Sequence, residues 1–283
     1  MNAPLLAAMA AGLTLLLVAE RRWPLRRAVD PGPSRRRVNL AVGAITAVAM
    51  QAVLLPAVVG VAAAVEARGW GLLGVLANVV PLPPVLSLLA ALALLDYTFY
   101  WWHRLLHGVP LLWRFHLVHH TDLDLDVMTA ARFHVGEYAL GAGFRVLQVL
   151  VIGSGPVATG LFEGLVVAAA AFHHANVRLP LALERRLVRL LVTPRMHGIH
   201  HSTVERETNS NWSTVLTVWD RLHDTLRLDV AQAAVTIGLP AYRDTRELVL
   251  GALLAMPFRR QRPAWAPHHD RPEGGAPRTR LAA

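Results

Sequence analysis

Long apolar runs, punctuated by short basic or proline-rich stretches, set the pattern of this chain. Residues 3–19 are apolar and uncharged. Arginines follow this run instead of preceding it, and no clear small-residue cleavage site comes before RRWPLRR, so a retained membrane helix is expected over a removed leader. Residues 20–37 hold Arg21, Arg22, Arg26, Arg27, Arg35, Arg36 and Arg37. Residues 38–65 are apolar throughout, enough for a second crossing. A bend at Glu66–Gly69 leads into 70–84, broken by Pro81, Pro83 and Pro84, which reads as an interfacial segment. Residues 85–102 give a third span, ending in Tyr97, Phe99, Tyr100, Trp101 and Trp102, an aromatic belt. Residues 103–139 are polar. Two short apolar arms, 140–152 and 157–172, flank Gly153-Ser154-Gly155-Pro156 and predict a tight, partly re-entrant hairpin. The chain is mixed and arginine-rich from 174, and its Pro/Arg/Gly-rich end, from about residue 259, reads as a disordered tail.

The predicted fold is therefore all-α: a multi-pass transmembrane helical bundle with a cytoplasmic helical cap. Three regions are expected: membrane spans and an interfacial segment over 1–84, a catalytic unit over 85–228 that includes the hairpin at 140–172, and a C-terminal cytoplasmic region over 229–283. Composition agrees. Of 283 residues 54% are hydrophobic and 17% charged, and the mean hydropathy is +0.39, which fits a membrane-resident chain better than a soluble one. No cysteine occurs, so thiolate metal sites and disulfides are excluded. The net charge of +9 rests entirely on arginine. With no aromatic-interleaved basic patch it reads as a topology signal, and no nucleic acid partner is expected. Placing the seven-arginine loop in the cytoplasm brings 103–139 and everything after 174 to the same side. The Arg-only, Ala-rich usage suggests a bacterial chain, and hence an inner-membrane location.

Histidines supply the chemistry. HRLLH at 103–107, HLVHH at 116–120 and HGIHH at 197–201 place imidazoles at i, i+3 and i+4, which on a helix share one face. His103, His107, His116, His119, His120, His197, His200 and His201 exceed the needs of one metal and suit two. A lone histidine near a membrane surface is usually a packed, hydrogen-bonded residue. Three spaced groups on one side of a membrane need a partner for their lone pairs. Imidazole accepts iron, zinc or copper, so ligand type alone does not choose the metal.

These boxes resemble the fatty acid hydroxylase / sterol desaturase superfamily of membrane oxygenases. The eight-residue gap between His107 and His116, DYTFYWWHRLLH at 96–107 and TAARFHVGE at 129–137 are similar to family segments, with Val135 where a proline is usual. FHHANVRLP at 172–180 resembles the family's F-x-H-x-N element and adds His174 and Asn176; TPRMHGIHHS and NWSTVLTVWDRLHDT resemble its closing region. His223 and Asp224 stand where a Phe-Gly pair is usual. The resemblance covers roughly 90–226. It implies a non-haem diiron centre that uses O2, and electrons from a separate electron-transfer protein, to hydroxylate or desaturate a lipid C–H bond.

Glu137, Asn176 and Asp220, with Asp96 and Asn211, are candidates to orient imidazole N–H groups; each taken singly reads better as a surface or capping group. His134 reads as a ligand, a partner of a ligand or a helix cap, and His173 rivals His174. Asp122, Asp124 and Asp126, alternating with leucine, read as a solvated loop. Arg145 is expected to snorkel or to pair with Glu163. Gly160 and Gly164 suggest close helix packing, and His268 and His269 are set aside in the tail. A membrane zinc hydrolase with Glu137 as general base is the alternative, and a non-catalytic metal or lipid binder a third reading.

Overall fold

The computed structural model describes residues 3–265, with side chains from residue 7. The distal part of the expected tail, with His268 and His269, lies outside the described residues. Helix α1 spans Ala3–Arg22 and ends on Arg21 and Arg22, cations suited to the negative end of a helix dipole. Helix α2 runs Pro33–Ala49, passes through a π-helical turn at Met50–Leu54 and continues as α3, Leu55–Arg68. Pro56 lacks the N–H for a regular α-turn, which accounts for the widening just before it. A short α4, Gly71–Ala77, fills the expected interfacial stretch. Helix α5, Pro84–Gly108, and α6, Pro110–His120, follow almost without a break, each opened by proline at its first position.

Helices α7, Val135–Ile152, and α8, Pro156–His174, are 18 and 19 residues long. At about 1.5 Å per residue they approach the ~30 Å hydrocarbon thickness. The expected hairpin is therefore built from two helices that are each long and apolar enough to cross a bilayer. The apolar pattern understated them because polar residues at their site-facing ends are helical too. Among the described residues four helical segments are long and apolar enough to cross a bilayer: Pro33–Ala77, Pro84–Gly108, Val135–Ile152 and Pro156–His174. The described residues contain no β-strand, only three isolated bridges.

α7 packs against α3, α4 and α5, with Val149 among Val58, Ala62 and Val65, and Leu95 beside Ile152 and Phe162. Where α4 meets the α7–α8 turn, Gly71 (φ 81°) and Gly153 (φ 82°) touch backbone to backbone. A Cβ on Gly71 would run into the Gly153 amide nitrogen, and one on Gly153 would stand 2.6 Å from the Trp70 carbonyl. Position and conformation both demand glycine there. Gly160 and Gly164 instead face outward with nothing within 4 Å, so they serve no helix contact within the chain. Arg145 does pair with Glu163, at 2.6 Å.

Beyond the spans lies a polar cap. Its short helices are α9 (Leu181–Leu187), α10 (Pro194–His200), α11 (Glu205–Thr208), α12 (Val218–Leu222) and α13 (Leu250–Ala255). The aspartate-rich loop after α6 is no solvated loop: Asp122 is 2% and Asp124 8% exposed. Asp122 accepts two hydrogen bonds from Arg35 (2.6 and 2.8 Å), one from Asn39 and one from Thr129. Asp126 accepts from the same Arg35, and Asp124 from the backbone amides of Val29 and Asp30. Buried Arg132 donates to the Val118 carbonyl, Asn39 and Thr121, closing the C-terminal end of α6. Within 259–265, expected to be loose, the last two residues pack while Arg259, Arg260, Arg262 and Pro263 are exposed. Ala264 is buried, and Trp265 stacks on Trp113 at 5.5 Å.

Candidate metal centre

The polar end of the bundle collects histidines from four elements: the last turns of α5 and α8, the length of α6, and α10. Thr193 caps α10, its hydroxyl accepting from the Met196 amide. Gly198, inside HGIHH, leaves the space that the Arg26 guanidinium fills from the basic loop; Arg26 donates there to the Pro194 carbonyl at 2.9 Å. The loop between α1 and α2 thus lies on the same face as all three histidine boxes.

Nine imidazoles fall into two groups. His103, His107, His116, His120 and His200 form one, and His119, His174, His197 and His201 the other. In each group one ring nitrogen per residue lies within 4.8 Å of all the others. The groups abut: His120 stacks on His201 with ring centroids 4.4 Å apart. In the four-histidine group, Nε2 of His174 lies 3.1 Å from that of His119 and 3.0 Å from that of His197, and Nε2 of His201 lies 3.1 Å from that of His197.

The outward nitrogens explain which ones turn inward. Nδ1 of His103 donates to the Trp212 carbonyl (2.8 Å), that of His200 to the Ser210 carbonyl (2.8 Å) and that of His174 to the Ala170 carbonyl (2.8 Å). Nδ1 of His116 meets Oε1 of Glu137 at 2.9 Å. With Nδ1 holding the proton, Nε2 of each ring presents a lone pair. Nε2 of His116, His120 and His200 and both nitrogens of His107 are buried with no hydrogen-bond partner among the described residues. Burial first, then the neighbouring imidazoles, push protonation of His119, His120, His197, His200 and His201 well below the usual histidine range. Neutral rings with converging lone pairs fit a pair of cations. Three Nε2–Nε2 separations of 3.0–3.1 Å match the spacing expected of nitrogens each about 2.0–2.1 Å from one metal.

Other expected residues take different places. His134 caps α7, with Nδ1 accepting from the Gly136 amide (2.9 Å) and Nε2 facing the Leu254 carbonyl (3.1 Å). His173 lies against His197, ring centroids 4.0 Å apart, outside both groups. Asn176 bonds the backbone of Arg26 through both ends of its amide, and no imidazole. Asp220 accepts from the Trp212 and Ser213 amides, so it shapes the turn whose Trp212 carbonyl holds His103. Asp96 accepts from Leu216 and Trp219, and Asn211 bonds Met196 and Arg227. Glu137 sits behind the His116 ring and orients it, which removes it from the base position that a hydrolase would need. Trp113, 4.8 Å from His107, and the Ser210 and Trp212 carbonyls carry no signature that sequence reasoning finds. Phe133, stacked 4.1 Å from His119, lay within a quoted motif but without a role.

Fold and site together define a polytopic helical membrane protein that brings nine imidazoles together at one membrane face. Residues 88–225 match the fatty acid hydroxylase family. Among curated proteins it is similar to the ornithine lipid hydroxylase OlsE of Rhizobium tropici, 31% identical over 63% of this chain and 52% of that protein. It is also similar to human cholesterol 25-hydroxylase (31%, over 50% and 51%) and human alkylglycerol monooxygenase (28%, over 47% and 29%). The chain thus spans about half the length of the first of these relatives, and less of the last. No solved structure matches it.

Proposed function

We propose that this protein is a membrane-bound diiron oxygenase that hydroxylates an unactivated C–H bond of a lipid. The observation that carries this reading is the pair of abutting imidazole groups whose inward-facing nitrogens have, among the described residues, no partner but each other. His103, His107, His116, His120 and His200 would hold one iron, and His119, His174, His197 and His201 the other. When bound, the pair supplies O2 activation, for which an all-imidazole, neutral donor set leaves the metals electrophilic. The chain's own residues fix the donors. Glu137 and the Trp212, Ser210 and Ala170 carbonyls hold the rings in one tautomer and orientation, while Trp113 and Phe133 wall the chamber with apolar surface. The relatives named hydroxylase and monooxygenase support oxygen insertion over desaturation and over zinc hydrolysis. Electrons come from a separate carrier, the lipid from the bilayer, and the histidine face lies in the cytoplasm of a bacterial inner membrane.

The test is purification in nanodiscs, metal analysis by mass spectrometry and Mössbauer spectroscopy, and comparative lipidomics under 18O2. About two irons per chain and an 18O-labelled lipid are expected. Stoichiometric zinc, with a product formed without O2, would establish the hydrolase instead.

A further inference from the structure

Away from the histidine chamber, on the polar cap, an open groove of about 740 Å³ lies between α9, α11 and residues 209–229. Arg185, Arg189, Arg206, Arg221 and Arg227 line it, against only Asp224 and Asp229. Asp229 is already engaged by Arg227 at 3.3 Å, so the lining carries a net positive charge. Ser210 also lines the groove, and its carbonyl is the acceptor for Nδ1 of His200. A molecule seated there is one peptide unit and one hydrogen bond from an imidazole of the five-histidine group.

The proposed reaction consumes two electrons: RH + O2 + 2 H+ + 2 e− gives ROH + H2O. These 283 residues include no cysteine, so they hold no thiolate-held iron–sulfur cluster to store them, and the oxygenase reading assigns the electrons to a separate carrier. Electron-carrier encounters are small, below about 1,200 Å² of buried surface, and are steered by charge. Forked guanidinium groups suit carboxylate-rich partners.

We propose that the arginine groove docks a small acidic electron-carrier protein, and that the Ser210–His200 hydrogen bond is the entry route from it to the metal pair. This rests on the oxygenase reading, and the experiment separates the two. Metal-free protein in zwitterionic nanodiscs is titrated with an acidic plant-type [2Fe–2S] ferredoxin as probe, at low and high salt, by fluorescence anisotropy. Arg189→Glu/Arg206→Glu, both at exposed positions, is expected to weaken binding at least tenfold and to flatten its salt dependence, while Arg189→Lys/Arg206→Lys keeps most of it. On iron-loaded protein the same charge reversal slows reduction by the ferredoxin and leaves reduction by dithionite unchanged. Equal ferredoxin affinity in wild type and charge-reversed protein, or salt-independent binding, overturns the docking assignment. So does variant-sensitive binding of inorganic phosphate or phosphatidylglycerol vesicles where ferredoxin does not bind, which would make the groove an anion or headgroup site. Wild-type protein that is reduced anaerobically with dithionite, freed of it and then exposed to O2, and that still oxidises no lipid, sinks the oxygenase reading separately, and binding to metal-free protein still reports on the groove.

Discussion

Replacing Asp122 with alanine tests whether the buried ionic loop positions α6 and its three histidines. Asp122 and Arg35 are 2% and 5% exposed at their side chains, and Asp122 also accepts from Asn39 and Thr129. Removing the carboxylate leaves the Arg35 guanidinium buried with Asp126 as its remaining ion-pair partner, and takes away the negative charge that faces buried Arg132. Breaking one side of a buried pair costs about 3–5 kcal/mol. For a chain of this size each kcal/mol moves Tm by ~2–4 °C, so a fall of roughly 6–20 °C is expected. The assay is thermal unfolding in nanodiscs, with Asp244→Ala as control. The Asp244–Arg246 pair is exposed, and its loss should leave Tm unchanged. pH adds a second reading. Burial alone would raise the Asp122 carboxyl, but Arg132 and Arg35 outweigh it and hold it below the usual carboxylate range. Its stabilisation is therefore complete above the unfolded value of about 3.9 and is lost as pH falls through the lower, folded value. The gap between wild type and variant should stay constant from neutrality down to about pH 5 and close only in stronger acid. A Tm drop under about 2 °C, or a gap that closes near neutrality, would refute the reasoning.

Four further outcomes are expected. Glu137→Gln should keep the fold but weaken metal binding about 10–100-fold, read by competition with a chelator, since a bonded partner of a ligating imidazole is lost. His119→Ala should lower metal content from about two ions to one per chain while His103-group binding persists; two retained ions would remove His119 from the ligand set. Gly71→Ala combines a positive φ with a backbone collision and should cost more than ~2 kcal/mol, seen as a lower unfolding midpoint. Asp224 has φ 53°, so Asp224→Gly should be about 1 kcal/mol more stable than Asp224→Ala.

The histidine spacing was legible because helix periodicity alone puts i, i+3 and i+4 on one face. The nine residues singled out are the nine that the fold gathers. The spans over 33–68 and 84–108 were legible from apolar length. The full lengths of α7 and α8 were not, since Glu137 and His174 interrupt the apolar pattern where the helices reach the site. Asp122 looked solvated because its partner Arg35 is distant in sequence, and alternation with leucine does not reveal a buried cation. Asn176 and Asp220 were visible as polar residues near motifs, yet their bonds go to backbone groups that only the folded chain brings near. His223 shows the same limit: it is stacked on Tyr100 at 5.0 Å and on Tyr97 at 5.8 Å, a contact that a departure from a motif does not foretell.

The contact between Arg26 and Gly198 bears on how this architecture can be cut and recombined. The segment that matches the fatty acid hydroxylase family starts at residue 88 and stops at 225. Yet a guanidinium from residue 26 occupies the notch in the third box, Arg35 anchors the second, and the indole of Trp265 leans on Trp113 beside the first. A chimera that transplants only the shared stretch into another scaffold would leave these props behind, so a faithful exchange has to carry the flanking strands of sequence along with the boxes.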